Sequence, residues 1–351
     1  MNEATVQQDA SIKLLKDTLK EFSALSSELK AVTRIDRKSL KFRKKDVPKK
    51  GKEETRLFFR DVINRACGRE IFEEVRRLIR LTHESYERFK RVLELRDSTH
   101  CYITDRALGL LNVSPADTAL LLEYCKFPDD PKSDLQDLIF EGHFFGDTKE
   151  GGKGNFLENA APTTMLILKY MKRATNGLDE DIHEHALMNF VNHYNLAVGG
   201  SGSVTSLGVA THYLQDLTAP HHVGNYPAVP YVDHFFFEKY ANKYVYGSPD
   251  FVLTPGGYSE FKSSLRTGPL DPQAFALEIY DRARAFIPCI ETDLHAEEPG
   301  TEGYVLKVDS AIDEYNQSLV AGNRKWKEAV DKAIPLAVYA SACLFETALR
   351  A

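Results

Sequence analysis

The amino-acid sequence predicts an all-α fold. Apolar residues recur at three- and four-residue intervals in most segments of the chain, which is the spacing of one face of an α-helix. Serine or threonine precedes the first of these segments after residue 97, and proline ends others, as expected at helix boundaries. No segment alternates polar and apolar residues convincingly over the length of a strand, and no internal repeat is visible.

The N-terminal part of the chain combines two helical patterns with a basic tract. Residues 10–32 place leucines and a phenylalanine on one helix face, and residues 57–96 repeat this pattern among many charges. Between them, residues 33–56 hold eleven Lys or Arg. Such a tract is typical of a solvated linker, or of a surface attracted to anionic lipid or nucleic acid. We therefore interpret residues 1–95 as a helical and basic extension.

The rest of the chain, residues 96–351, is predicted to form one large helical domain. Ser98 and Thr99 are cap candidates for its first helix, and a second helical pattern over 114–131 ends at proline. Glycine and proline mark a loop over 141–160 and a connection over 247–273. Further helices are predicted over 161–174, 181–195, 205–217, 232–245 and 305–350.

Length and composition allow a substantial core and exclude a disordered chain. Of the 351 residues, 43% are hydrophobic, so one large domain or two ordinary ones can bury a core. The net charge of −6 is unevenly spread, because residues 1–56 carry +6 and the remainder −12. A basic segment joined to an acidic body indicates that the segment has its own role.

The five cysteines are odd in number and scattered, and no Cys-x-x-Cys pair occurs. This pattern argues against a disulfide framework and against a thiolate zinc site, and predicts buried reduced thiols. The first residues lack a basic flank followed by an apolar stretch, so no secretory signal is predicted. Localisation stays open between the cytoplasm and export without such a signal. No apolar run approaches the length of a membrane span.

One short stretch gathers potential metal ligands. His212 and Asp216 are four residues apart on a predicted helix, so their side chains share a face. Pro220 ends that helix, and His222 follows directly after the break. Imidazole nitrogens and carboxylate oxygens are the usual ligands of catalytic zinc. A helix that presents such a pair is a rigid support for a metal site.

A second pair follows on the next predicted helix. His234 and Glu238 are also four residues apart. Alone, each pair is more typical of an ordinary hydrogen bond than of a metal site. Two pairs joined by a Pro-x-His break are harder to explain by chance, because packing several histidines and acids together is costly unless a cation balances them.

These residues carry a resemblance to a known family. The pattern H-Y-L-x-D-x-x-x-P-x-H-x-x-N, followed by H-x-x-x-E, resembles the core of the zinc-dependent bacterial phospholipase C family. The distance from His222 to His234 is slightly shorter than the spacing usual in that family. The matching positions are His212, Asp216, Pro220, His222, Asn225, His234 and Glu238.

Two upstream segments extend the resemblance to roughly residues 98–350. The family carries a histidine in a helix of the form S/T-H-x-x-I-x-x-x-A, and STHCYITDRAL supplies it as His100. It also carries an aspartate before a histidine that two aromatic residues follow. FPDDPKSDLQDLIFEGHFF supplies these as Asp129 and His143, with Asp130 as the competitor of Asp129.

The resemblance implies two or three zinc ions per chain. The first position would comprise His143, His212, Asp129 and Asp216, and the second would comprise His222, His234 and Glu238. Asp216 would also bridge the first position to a third, which His100 completes. In the secreted enzymes an N-terminal tryptophan also holds the third zinc, whereas Trp326 is the only tryptophan here. His83 and Glu84 are conceivable substitutes, although a helix-surface role is the plainer interpretation.

The resemblance also implies a reaction and a substrate. Zinc-bound hydroxide would attack the phosphorus of a glycerophospholipid and release diacylglycerol and a phosphorylated headgroup, with Asp129 as the general base. Phe140 and Asn225 would contact the substrate; for Phe140 ordinary core packing is an equal alternative. The family's second headgroup aromatic is replaced by Asp130, and an expected acid by Lys90, so choline preference is in doubt.

Partners and alternative functions follow from the same features. Residues 10–56 could make peripheral contact with an anionic membrane, and no nucleic-acid partner is expected. One alternative is a related single-strand zinc nuclease, which uses similar helical His/Asp sites. Another is a non-catalytic, metal-bound lipid-binding protein whose N-terminal extension fills the cleft. Headgroup preference and oligomeric state are not determined by the sequence.

Overall fold

The computed structural model describes residues 98–129, 141–145, 185–199, 203–224, 226, 233–247, 252–290 and 324–350, together with 52–68 and isolated positions between 17 and 84. Several sequence predictions lie outside these residues. They include Phe140, Asn225, Asp130, His83, the loop beyond residue 145, the helix over 161–174 and the first part of the helix over 305–350.

The described residues are mainly helical and contain no strand, which confirms the all-α fold class. The 3₁₀ segments Phe127–Asp129, Glu141–His143 and Arg284–Cys289 supplement the α-helices in this part of the chain. The α-helices whose bounds are described are α1 Lys52–Cys67, α2 Thr99–Leu108, α3 Pro115–Tyr124, α4 Ala186–Val198, α5 Val204–Asp216, α6 Pro220–Val223, α7 Asp233–Gly247, α8 Pro255–Ser264, α9 Pro272–Ala283 and α10 Arg324–Ala348.

The chain divides into two compact units. The first comprises residues 1–94, 155–182 and 296–309, and the second comprises the remainder. In the first unit, α1 buries Phe59, Val62 and Ile63. All helices from α2 to α10 belong to the second unit. The proposed division at residue 95 stays a prediction, since the first unit also draws on segments far along the chain.

Helix α5 is the central element of the second unit. Every residue from Leu207 to Asp216 is buried, because α5 contacts α4 most extensively and also packs against α3 and α10. The helix begins after Ser203, whose hydroxyl accepts from the backbone N–H of Thr205. Polar side chains on this helix are therefore held away from water and require partners inside the protein.

Gly208 allows α5 to approach α3 closely. A Cβ atom at this position would lie 2.7 Å from Tyr124 Cβ and 3.3 Å from Tyr124 Cα. We expect Gly208→Val to lower the free energy of unfolding by about 1–3 kcal/mol, because the added atoms overpack the contact. Urea denaturation measures this loss. Gly268→Val is the control, since a Cβ there meets nothing within 4 Å; equal losses in both variants would contradict the close-approach explanation.

The connection predicted over 247–273 is wrong in part, because α8 lies within it. Thr254 accepts from the N–H of Gly257 at 3.0 Å, and Pro255 occupies the first turn. Proline is tolerated there because an N–H at that position has no partner within the helix. The proline that suggested a loop therefore marks the start of a helix.

Helix α10 spans 25 residues and contains Pro335. It packs against α2 and α5 and buries Trp326 near its beginning. No helix in the described part of the chain has both the length and the apolar character to cross a membrane.

Glu278 on α9 is a buried carboxylate that closes the loop before that helix. Its side chain is 3% exposed and accepts from the backbone N–H groups of Arg266 and Thr267 at 2.9–3.1 Å and from the Arg282 guanidinium at 2.7 Å. Burial alone would raise the pKa of Glu278, but these hydrogen bonds hold the pKa below its ordinary value of 4.5.

We expect Glu278 to contribute stability that is present above pH 4.5 and is lost as pH falls through its lowered folded-state pKa. The unfolded chain binds a proton at this carboxyl before the folded chain does, so acidification favours unfolding. Glu278→Gln should lower the free energy of unfolding at pH 7 by about 1.5–3 kcal/mol and flatten this part of its acid dependence. Denaturant titrations between pH 7 and 3 measure both effects; parallel pH profiles for the two proteins would refute the assignment.

Candidate metal centre

All eight predicted ligands come together in the second unit. They form three groups in which the ligand atoms lie within 4.8 Å of one another. Helix α5 supplies two of the residues and α7 two more, while the remaining four come from α2, α6 and two 3₁₀ segments. The groups are His143, His212 and Asp216; His100, Asp129 and His212; and His222, His234 and Glu238.

The first group is the most compact. Oδ2 of Asp216 lies 3.0 Å from Nδ1 of His143 and 3.3 Å from Nε2 of His212, and the two nitrogens are 2.9 Å apart. Ligand atoms of a tetrahedral zinc ion, with bonds of about 2.0–2.1 Å, lie about 3.3 Å apart. The spacing therefore fits donors that face one cation.

Asp216 connects this group to the others through its second oxygen. Oδ1 lies 3.6 Å from Nε2 of His100 and 3.4 Å from Nδ1 of His222. Asp129 is farther away, with its oxygens 3.9–4.0 Å from nitrogens of His100, His143 and His212. The carboxylate of Asp129 can thus serve either of the two groups that share His212.

The remaining group joins α6 to α7. Oε1 of Glu238 lies 3.0 Å from Nε2 of His234, which is the i,i+4 relation that the sequence predicts, and 3.7 Å from Nε2 of His222. Helix α6 is a single turn with Pro220 at its start, and it turns the chain so that His222 faces the same region. Two helix faces and one turn therefore meet at these three donors.

Backbone carbonyls fix the orientation of three imidazole rings. Because a carbonyl oxygen only accepts hydrogen bonds, each contacting Nδ1 must carry a proton, which leaves Nε2 as the nitrogen that can bind a metal once it is deprotonated. This arrangement is typical of histidines that bind metal through Nε2. The Nδ1–H groups of His212, His222 and His234 donate to the carbonyl oxygens of Cys125, His143 and Tyr226, at 2.8, 2.7 and 2.7 Å respectively.

The carboxylates and the histidines shift one another's protonation. Burial alone would raise the pKa of Asp216, but His212 and His222 hold it well below its ordinary value. Burial alone would lower the pKa of His222, but Asp216 and Glu238 raise it to about 9. Burial, together with His212, lowers the pKa of His100 to about 4, so that ring is neutral and available as a ligand at neutral pH.

The charge balance of the centre favours a bound cation. Among the described residues, every ion-pair partner of Asp216 is a histidine, and neither lysine nor arginine reaches it. Glu238 is paired in the same way, with His222 and His234. Histidines and carboxylates that converge in a largely buried centre, without lysine or arginine, are costly unless protons or metal ions compensate them. These groups could therefore hold metal ions.

Comparisons with known proteins add no relative. No family model, curated protein or solved structure matches this chain. The candidate centre is accordingly defined by its own donor geometry.

Sequence reasoning missed the groups that hold the ligands in place. Gln215, which contacts His100, and the carbonyl of Cys125, which contacts His212, were not anticipated. Gln215 stands between two predicted ligands in the sequence, and that position was the available signal. His221 is buried and stacks on His234 with ring centroids 4.8 Å apart, so it packs against a predicted ligand.

Proposed function

We propose that this chain is a zinc-dependent phosphodiester hydrolase of the phospholipase C type. One observation carries the proposal: three groups of histidine and carboxylate donors lie within one centre, and Asp216 contacts histidines of all three. A shared carboxylate is suited to hold two or three neighbouring cations, the arrangement that phosphoryl-transfer enzymes use. The resemblance of the motif order to the phospholipase C family supports the same conclusion.

The donor types favour zinc as the metal. Each group offers imidazole nitrogens and carboxylate oxygens, with no cysteine among them. Structural zinc sites usually have four protein ligands, whereas catalytic sites have three and leave a position for water or substrate. The group of His222, His234 and Glu238 has the composition expected of a catalytic position.

The two aspartates of the centre differ in burial, and this difference indicates different roles. When bound, the cations would neutralise phosphate oxygens and lower the pKa of a coordinated water toward about 7. Asp216 is 2% exposed and is surrounded by histidines, so it would hold the cations. The side chain of Asp129 is 36% exposed and lies at the longest distances, so it can accept a proton from water and return it to solvent.

The proposed substrate is a glycerophospholipid, cleaved to diacylglycerol and a phosphorylated headgroup. The reaction requires an anionic diester whose oxygens can face the cation positions while water attacks phosphorus in line. No serine or cysteine nucleophile is needed for this reaction.

Incubation of the full chain with zinc and two substrate classes tests the proposal. We expect release of diacylglycerol from phosphatidylcholine, phosphatidylethanolamine or phosphatidylserine vesicles, with loss of activity after chelation and recovery when zinc is restored. A short single-stranded DNA is the parallel substrate. Cleavage of DNA alone would identify the chain as a nuclease, and a zinc-loaded protein inert toward both substrates would identify it as a binding protein. Either result would refute the phospholipase C proposal.

A further inference from the structure

Gln215 occupies an unusual place in the candidate centre. It lies on α5 directly before Asp216 and is 2% exposed. Its Oε1 accepts from Nδ1 of His100 at 2.8 Å. Its Nε2 donates to Thr104 Oγ1 at 3.0 Å and to Ser341 Oγ at 3.2 Å. One buried amide thus satisfies its polar atoms against α2 and α10 while facing a predicted ligand.

This amide determines what His100 presents to the centre. Because Oε1 faces Nδ1, the imidazole proton lies on Nδ1 and the lone pair lies on Nε2. That Nε2 is 3.6 Å from Asp216 and 4.0 Å from Asp129. The hydroxyls of Thr104 and Ser341 hold the amide in this orientation by accepting from its NH₂ group.

His100 differs in this respect from the other oriented histidines. His212, His222 and His234 donate to backbone carbonyls, which the fold fixes whatever the side chain. His100 depends on a side-chain amide instead. Its orientation is therefore the one among these four that a single substitution outside the ligand set can change.

We propose that Gln215 is a positioning residue that sets the tautomer of His100 and thereby completes the cation position formed by His100, Asp129 and His212. This inference rests on the proposed zinc centre and adds a residue to it. Partners that orient a metal-bound histidine typically contribute 10–100-fold to metal affinity or activity. Gln215→Leu should weaken one zinc position about 10–100-fold and leave the position of His222, His234 and Glu238 unchanged.

Gln215→Glu separates positioning from packing. A carboxylate still accepts from Nδ1 of His100, so zinc binding at this position should persist. The same variant loses the NH₂ group that contacts Thr104 and Ser341, so a purely structural role predicts that it is as damaging as Gln215→Leu. Retained binding in Gln215→Glu and weakened binding in Gln215→Leu support the inference.

The experiment uses the full chain, stripped of metal and titrated with Zn²⁺ by calorimetry, with elemental analysis of the loaded protein. Ring ¹⁵N NMR of metal-free protein reports the tautomer of His100, and circular dichroism checks that each variant is folded. We expect the Nδ1–H tautomer in the wild type and its loss in Gln215→Leu.

The possible failures are distinguishable. A wild type that binds no zinc would overturn the proposed function together with this inference. A zinc-binding wild type would overturn only the inference if Gln215→Leu kept every affinity, if Gln215→Glu matched Gln215→Leu, or if His100 already carried its proton on Nε2. If Gln215→Leu does not fold, the wild-type tautomer and the affinity of Gln215→Glu decide the matter.

Discussion

His234→Ala is expected to lower phosphodiester hydrolysis at least about 100-fold and to remove one zinc ion per chain. The substitution removes the ligand atom Nε2, which lies 3.0 Å from Oε1 of Glu238, and leaves only His222 and Glu238 in this group. Two ligands do not hold a catalytic zinc ion, for which three are usual. Loss of an outer-shell partner alone costs about 10–100-fold, so loss of a ligand should cost at least as much.

His185→Asn is the matched control for this substitution. His185 caps α4 by accepting from the N–H of Met188 at 3.3 Å and belongs to none of the three donor groups. Asparagine is also a good N-cap residue, so the helix should be retained. Steady-state rates and elemental analysis of both variants decide the outcome. Full activity of the His234→Ala protein would show that this group does not carry the chemistry.

Zinc is expected to stabilise the protein strongly, and Asp216→Asn is expected to remove most of that effect. A ligand at 1,000 times its dissociation constant stabilises the folded state by about 4.1 kcal/mol. For a domain of 150–250 residues, each kcal/mol of stabilisation raises Tm by about 2–4 °C. Asparagine lacks the charge that Asp216 presents to histidines of all three groups, so affinity at the shared positions should fall at least about 100-fold, or about 2.7 kcal/mol.

Thermal unfolding at increasing zinc concentrations measures the zinc-dependent rise in Tm of the wild type and of Asp216→Asn. Asp281→Asn is the control, because this carboxylate is 55% exposed and pairs with Arg266 and Arg284 at 3.8–4.0 Å. It should show the wild-type response to zinc. A zinc-dependent rise in Tm that is the same in Asp216→Asn would mean that the metal binds elsewhere on the chain.

The helical frame around the centre was largely predictable. Periodicity located α5 and α7 within two residues of their observed ends, because both helices carry regular apolar spacing. The same periodicity placed His212 with Asp216, and His234 with Glu238, on common helix faces. Local geometry dictates such pairs, and the contacts of 3.3 and 3.0 Å agree with it.

Helices α8 and α9 were not predicted. Proline and glycine at the start of α8 resemble loop composition, and α9 follows directly after another proline-rich stretch. Proline in a first helical turn and proline in a loop look alike in a sequence, since the difference lies in the cap hydrogen bonds of Thr254 and Asp271. Those bonds form only when the chain has already turned into the helix.

The sequence by itself determined the all-α class, the histidines and carboxylates worth considering, and the two ligand pairs that are four residues apart. These properties depend on spacing along one chain segment, where helix geometry fixes distances. Only the tertiary structure decided that His100 and His143 reach Asp216, and that Asp129 lies 3.9–4.0 Å from nitrogens of three histidines. It also decided that Gln215 and backbone carbonyls orient the rings. Such contacts join residues up to 116 positions apart, as His100 and Asp216 are, and they arise because α2, α5 and α10 pack around one buried core.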